Sequence, residues 1–499
     1  MLIQDLLRRA AREFGDAPAI VDAERVVSFV EFEQSTVRLA NALLDRGLAP
    51  GDRLAVALPN CIEELLVYCA LARAGLLRVG LNARDTPADQ AFKVQDADCR
   101  AVISDGSAIT APVELTFSRR EVNDLALSGR LDRCDIAVPD GEPYRIAYTG
   151  GTTGRPKGVM LTLGGLHAQL TNYLLEHVPG IEPGDVMLHA APVSHASGSY
   201  FLPHLVCGGV NVLLPRFRPG EFLEELERRR ARRTFLVPTM MAALLEEPNL
   251  ADVDASSMRR LCYGASPIAP AVARRSEEVF GQVLCQTYGQ AEAPMTISLL
   301  RPEEHGRVGS AGRPYKMTAV RVVDDAGEEC PRGESGEVVA RGPIVMAGYW
   351  RREAETASTL AGGWLHTGDI GYMDDAGYLF LLDRRNDMII SGGFNVYPRE
   401  VEDVLLEHPS VMEAAVVGVS DEKWGEVIHA VVTTRAQVPF GDLDEHLQRR
   451  IAGYKRPRAY HTWPELPKSA AGKILRRAVR DALRKEGSES AVQTPEEAR

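Results

Sequence analysis

No run in this sequence is long and apolar enough to span a bilayer. The opening stretch MLIQDLLRRAAREF does not read as a signal peptide, because acidic and basic residues interrupt its apolar ones. Ile3, Leu6, Leu7, Ala10 and Phe14 recur there at helical spacing instead. Positive charge is in deficit: 69 acidic residues outweigh 57 basic ones and leave a net charge of −12, which argues against a general nucleic-acid binder. The eight cysteines, at 61, 69, 99, 134, 207, 262, 285 and 330, contain no CxxC pair. They read as reduced core thiols of a cytoplasmic protein. His189, His195 and His204 are spaced by six and nine residues, which fits no common zinc pattern. There is no internal repeat, and only the polar tail 486–499 reads as disordered.

What is present is an alternation of short β-rich runs and helical patterns in 499 residues, enough for more than one folding unit. RLAVAL (53–58) reads as a buried strand, CIEELLVYCALARAG (61–75) as the following helix and CRAVISD (99–105) as the next strand. RTFLVP (233–238), RRLCYGA (259–265) and QVLCQTYG (282–289) are further strand candidates. This order predicts an α/β fold with parallel sheets. After residue 315, AVRVVD, GEVVARG and GYLFLLD lie between Gly- and Asp-rich turns and predict a smaller antiparallel β unit. A new short α/β pattern begins after LLDRRNDMIISGG (381–393). We therefore expect a large N-terminal domain (1–382) of α/β subdomains plus a β-rich subdomain. A short connection (383–386) and a small C-terminal α+β domain (387–485) follow.

One loop carries the chemistry. In YTGGTTGRPKG (148–158) a short strand breaks into glycines, whose backbone N–H groups can line an anion-binding concavity. Thr149, Thr152 and Thr153 add hydroxyls, Gly150, Gly151 and Gly154 let the backbone come close to a ligand, and Lys157 adds a mobile cation. It is not the usual phosphate loop, because Pro156 precedes the lysine and Gly158 follows it.

The whole string resembles the phosphate-loop signature of the adenylate-forming enzymes, which include acyl-CoA synthetases, luciferases and peptide-synthetase adenylation domains. Four more motifs of that family follow in its order: YGQAEA (288–293), GWLHTGDIG (363–371), DRRNDMIISGGFNVYPREVE (383–402) and LPKSAAGKILRR (466–477). Three positions depart from the family pattern. Gly150 stands where Ser is usual, Ala291 where Thr is usual, and Asn386 at a hinge position that is usually Asp or Lys.

The resemblance implies ATP, Mg²⁺ and coenzyme A as cofactors and a carboxylic acid as substrate, with no nucleic acid. The acid is joined to the α-phosphate as an acyl-adenylate and then passed to a thiol. It implies the following roles. The Gly/Thr loop and Lys157 hold phosphates, and Glu292 holds the metal. Asp369 takes the ribose hydroxyls, with Arg384 beside it. Tyr288, Gly289 and Gln290, with the turn Gly264, Ala265 and Ser266, line the adenine. His195, in APVSHASG (191–198), sits by the substrate carboxylate. Lys473 bridges that carboxylate and the α-phosphate. The small domain is mobile and rotates about Asn386 between the two half-reactions, and Ser391, Gly392 and Gly393 line the path of the CoA pantetheine. A carrier protein or another nucleophile as acceptor, and a non-catalytic nucleotide-binding protein, stay open at this point. The candidate acyl-pocket segments, 195–200, 235–240, 262–266 and 287–296, mix small residues with Phe235 and Met240. They offer no extra cation for a second carboxylate, so a monocarboxylate, aliphatic or aryl, is expected.

Overall fold

The computed structural model describes residues 2–486 except 83–84, 107–108, 110, 133, 135, 150–155, 386, 422–423 and 469–473. Gly150, Gly151, Thr152, Thr153 and Gly154 of the loop, the hinge residue Asn386 and Lys473 lie outside the described residues, as does the tail beyond 486.

The architecture is α/β, with a large N-terminal part and a small C-terminal one. A seven-stranded sheet runs in the order Gly348–Tyr349, Gly158–Thr162, Pro143–Tyr148, Leu77–Gly80, Arg53–Ala57, Ala101–Ser104, Leu115–Ser118. Its centre is parallel, as the strand–helix–strand order requires. The helix Ile62–Arg73 packs Leu65, Leu66, Cys69 and Ala70 into the core beside it. Helix Phe29–Asp45 starts where Ser28 accepts from the Glu31 backbone N–H and the Glu31 carboxylate returns the bond, a capping box. The amphipathic helix Ile3–Phe14 buries Ile3, Leu6, Leu7 and Ala10 of the five residues its spacing singles out and leaves Phe14 half-buried.

The second sheet has thirteen strands. Its parallel half contains Val186–His189, Arg233–Leu236, Arg260–Gly264 and Leu284–Gln290. The antiparallel strands expected after residue 315 are present, but they do not form a separate unit. Ala293–Leu300 pairs with Leu284–Gln290 on one side and with Ser310–Pro314 on the other. Ser310–Pro314 then pairs with Leu379–Arg384, so the ladder continues unbroken. The third sheet has five strands, all from residues 389–462, with helices Pro398–Leu406 and Phe440–Gln448 packed on its core. No helix among the described residues is long and apolar enough to cross a membrane.

Candidate active site

The strands Leu365–Met373 and Leu379–Arg384 pair with Asp369 directly opposite Arg384. Arg384 Nε lies 2.7 Å from Asp369 Oδ1, and the Tyr288 hydroxyl donates to Oδ2 at 2.5 Å. Asp369 is buried, and its backbone N–H donates to Thr367 Oγ1, which in turn donates to the Val338 carbonyl. Arg384 Nη1 also donates to the Thr367 carbonyl. Burial, and then the Asp369 charge, raise the Tyr288 pKa well above the usual phenol range, so this hydroxyl keeps its proton and stays a donor. Three candidates spread over 97 positions of sequence thus meet around one carboxylate.

Gly289 and Gly264 permit this crowding. A Cβ at Gly289 would lie 2.4 Å from Met295 N, and one at Gly264 would lie 2.5 Å from the Thr287 carbonyl. Ala265 follows with φ of +69°, a conformation that costs a non-glycine residue energy and that clusters at functional sites. Ser266 is partly exposed beside it, and Gln290 Nε2 donates to the Thr367 carbonyl.

Glu292 sits in the tight turn where Gln290 pairs with Ala293. Its carboxylate accepts from the Tyr349 hydroxyl at 2.8 Å, and its carbonyl accepts from Met346 N–H. Lys157 Nζ stands 5.0 Å from the Tyr349 ring centroid, within cation–π range. Tyr349 therefore joins the loop lysine to the turn carboxylate. It is held there because Gly348–Tyr349 pairs with Gly158–Thr162. The described base of the Gly/Thr loop is closed by Thr149 N–H donating to the Lys157 carbonyl. Asp96 clamps it from the side, accepting from the Tyr148 hydroxyl and, through its carbonyl, from Trp350 Nε1. Nothing in the sequence reading singled out Tyr349, whose only signal is its place beside glycine in AGYW (347–350).

His195 caps the short helix Ala196–Tyr200. Its Nδ1 is 2.8 Å from Ser194 Oγ and its Nε2 3.5 Å from Asn82 Nδ2. The ring keeps an edge open to solvent. Crowding, and then the charges of Arg145 and Arg78, hold its pKa below the usual imidazole range. These two arginines are a surprise. They lie opposite each other on adjacent parallel strands, with Arg78 paired to the buried Glu64. Neither falls in a segment expected to line the acyl pocket. They border a cavity of about 20 Å³ together with Glu64, Gln169 and Ser199. That is room for about one water and not for an acyl chain.

His189 and His204 are buried in the core. His189 is bonded to Ser197 and Asn211, and His204 Nδ1 to the Tyr200 carbonyl. His177, Cys262 and Cys285 bring one nitrogen and two sulfurs within 4.8 Å. Both His177 nitrogens are engaged, Nδ1 with the Tyr315 hydroxyl at 2.6 Å and Nε2 with that of Tyr200 at 2.9 Å. The cluster is a buried hydrogen-bond network.

The remaining candidates lie in the small domain. Gly392 and Gly393, with φ of +59° and +83°, turn the hairpin Ile389–Ser391/Phe394–Val396. Ser391 is buried opposite Gly425, and Gly392 N–H donates to the Trp424 carbonyl.

Residues 7–350 match the AMP-binding enzyme family, and residues 400–473 match the AMP-binding enzyme C-terminal domain. The chain belongs to this family. A feruloyl-CoA synthase of an Amycolatopsis species is 37% identical over 482 residues, covering 95% of this chain and 97% of that protein. Among solved structures, o-succinylbenzoate CoA synthetase from Bacillus subtilis, in complex with the acyl-adenylate OSB-AMP, superposes with a TM-score of 0.87 at 33% identity, covering 95% of this chain and 98% of the other. The amide bond synthetase McbA from Marinactinospora thermotolerans gives 0.88 at 33% identity, over 97% and 100% of the two chains. The relatives of this AMP-binding enzyme thus include proteins named as CoA synthetases and one named as an amide bond synthetase.

Proposed function

We propose that this AMP-binding enzyme is an AMP-forming acyl-CoA ligase. A substrate carboxylate oxygen attacks the α-phosphorus of ATP, and the bond to pyrophosphate breaks. The CoA sulfur then attacks the acyl carbon of the adenylate, AMP leaves, and the thiol proton passes to solvent. The carrying observation is the buried Asp369, braced by Tyr288 and Arg384 on one rigid ladder near the Lys157–Tyr349–Glu292 line. This supports a site with an acceptor for sugar hydroxyls next to charges for phosphates.

In this reading Asp369 accepts from the ribose hydroxyls, with Arg384 fixing its orientation. Tyr288, Gly289, Gln290 and the turn Gly264–Ala265–Ser266 line the adenine. Thr149, Gly150, Gly151, Thr152, Thr153, Gly154 and Lys157 bind phosphate oxygens. Glu292 suits Mg²⁺, which takes one or two carboxylates plus phosphate oxygens. When bound, the metal would supply charge neutralisation to the phosphates. The o-succinylbenzoate CoA synthetase is also solved with ATP and magnesium. A neutral His195 places no cation of its own beside the incoming carboxylate, which leaves that role to Lys473. Ser391, Gly392 and Gly393 border the CoA arm. We place the hinge at 383–386, starting at the end of the last strand of the large sheet, and the enzyme in the cytoplasm, where its free cysteines stay reduced.

Arg78, near His195, is already paired to the buried Glu64, which supports a monocarboxylate. Likeness to a feruloyl-CoA synthase puts aryl acids first. Likeness to an amide bond synthetase keeps an amine acceptor as second reading; a carrier-protein thiol is the third. The test is pyrophosphate release across aryl and aliphatic acids, with CoA, a phosphopantetheinyl carrier protein, an amine or no acceptor. Thioester formed from CoA supports the ligase. Turnover with the amine alone would replace it by the second reading.

A further inference from the structure

Arg476 opens the C-terminal helix Arg476–Glu486 and lies three positions after Lys473. Its guanidinium is held by three carboxylates. Nε and Nη2 form a fork on Glu402 at 2.9 and 2.6 Å, while Nη1 reaches Asp383 at 2.6 Å and Asp387 at 3.3 Å. Glu402 and Asp387 belong to the small domain. Asp383 does not: it lies on the last strand of the large sheet, at the first position of the expected hinge. Its side chain is 3% exposed, and its oxygens also accept from the backbone N–H groups of Arg384 and Arg399. The burial, and the carboxylates that offset it, mark the node as more than a solvent-screened surface pair. Upstream of Arg476, Ile474 pairs with Lys468, whose Nζ is 2.6 Å from Glu413. Three residues of chain span at most about 10–11 Å. Where Arg476 is anchored therefore limits where Lys473 can reach.

We propose that Arg476 is a positioning residue for Lys473, tying the lysine segment through Asp383 to one orientation of the small domain about its hinge. The fork on Glu402 alone would merely brace the small domain. The bond to Asp383 couples that brace to the large one. This rests on the proposed reading in which Lys473 serves adenylation.

The test measures both half-reactions in the full chain, with Asp383→Asn and Arg476→Lys singly and together. Pyrophosphate release from acid and ATP should fall roughly tenfold in each variant, the scale of one charge-assisted hydrogen bond. Thioester formation from pre-formed acyl-adenylate and CoA should stay within about twofold of the parent, and the double variant should be no worse than the weaker single one. Should Arg476→Lys fail to fold, Asp383→Asn decides alone. Equal loss in both halves, additive losses, or no loss would overturn the positioning role. Selective loss of the thioester step would assign the bridge to the other orientation and overturn it too. A parent enzyme that forms no adenylate from any acid would instead overturn the functional reading beneath it.

Discussion

Asp369 and Asp383 are buried carboxylates on the same pair of strands, one residue pair apart: Asp369 faces Arg384, and Ile370 faces Asp383. Successive residues of a strand point to opposite faces. Arg384 therefore turns toward Asp369 and Tyr288 on one side, and Asp383 turns toward Arg399 and Arg476 on the other. Tyr288 and Arg384, which hold Asp369, stand on strands of the large sheet, whereas Asp383 is held by Arg399 and Arg476 from the small domain. A single ladder thus builds the candidate nucleotide site on one face and contacts the small domain on the other. Changes on the first face should alter ATP binding, and changes on the second should alter how the two half-reactions divide.

The largest effect is expected from Lys473→Ala. A preorganised group that stabilises transition-state charge is worth on the order of 10²–10³ in rate, and that loss should fall on pyrophosphate release alone. Supplied with acyl-adenylate and CoA, the variant should make thioester at close to the parental rate. Asp369→Asn comes next. It removes the carboxylate charge without changing volume, and a charge-assisted hydrogen bond is worth about 1.5–3 kcal/mol. The ATP KM should therefore rise roughly tenfold or more, while the domain partition seen with the Asp383 variant should not appear. If Asp369→Asn leaves ATP affinity intact in a folded protein, the two faces do not divide their labour in this way.

Asp403 offers a smaller contrast near the hinge. Burial raises its pKa to about 6, although its side chain keeps 37% of its surface open to water. A carboxyl whose folded pKa is raised stabilises below its unfolded value, near 3.9, and loses that contribution as pH rises through 6. Asp403→Asn should therefore raise the unfolding free energy slightly at pH 7, by under about 1 kcal/mol after solvent screening, and change nothing at pH 4. A gain at pH 4 would contradict a raised Asp403 pKa. The smallest effect is expected at Glu246, which pairs with Arg435 across the two domains with 62% and 60% of the side chains exposed. Exposed pairs contribute about 0–1 kcal/mol. Glu246→Gln should leave both half-reactions within about twofold of the parent, and a larger shift would move the domain contact away from Arg476.

Much of this was readable before any coordinates. The strands Arg53–Ala57, Ala101–Ser104, Arg233–Leu236, Arg260–Gly264 and Leu284–Gln290 announced themselves as short apolar runs, and the motifs singled out Glu292, Asp369 and Arg384. What could not be read is what depends on pairing between distant segments. The antiparallel strands after 315 looked separate because their bonds to Ala293–Leu300 and Ser310–Pro314 leave no local trace. Tyr349 reaches Glu292 only because its strand pairs with residues 158–162. The Arg78–Arg145 pair likewise depends on sheet register, and Arg476 meets Asp383 across 93 positions of sequence.

The most direct measurement is a single turnover of the unmodified enzyme in two stages. Mixed with ATP, magnesium and a cognate acid but no CoA, it should release about one pyrophosphate per active site and retain the acyl-adenylate. Addition of CoA should then convert the retained acyl group to thioester and release AMP. Pyrophosphate release only when CoA is present, or an adenylate that CoA cannot discharge, would contradict the two-step reaction proposed for this chain.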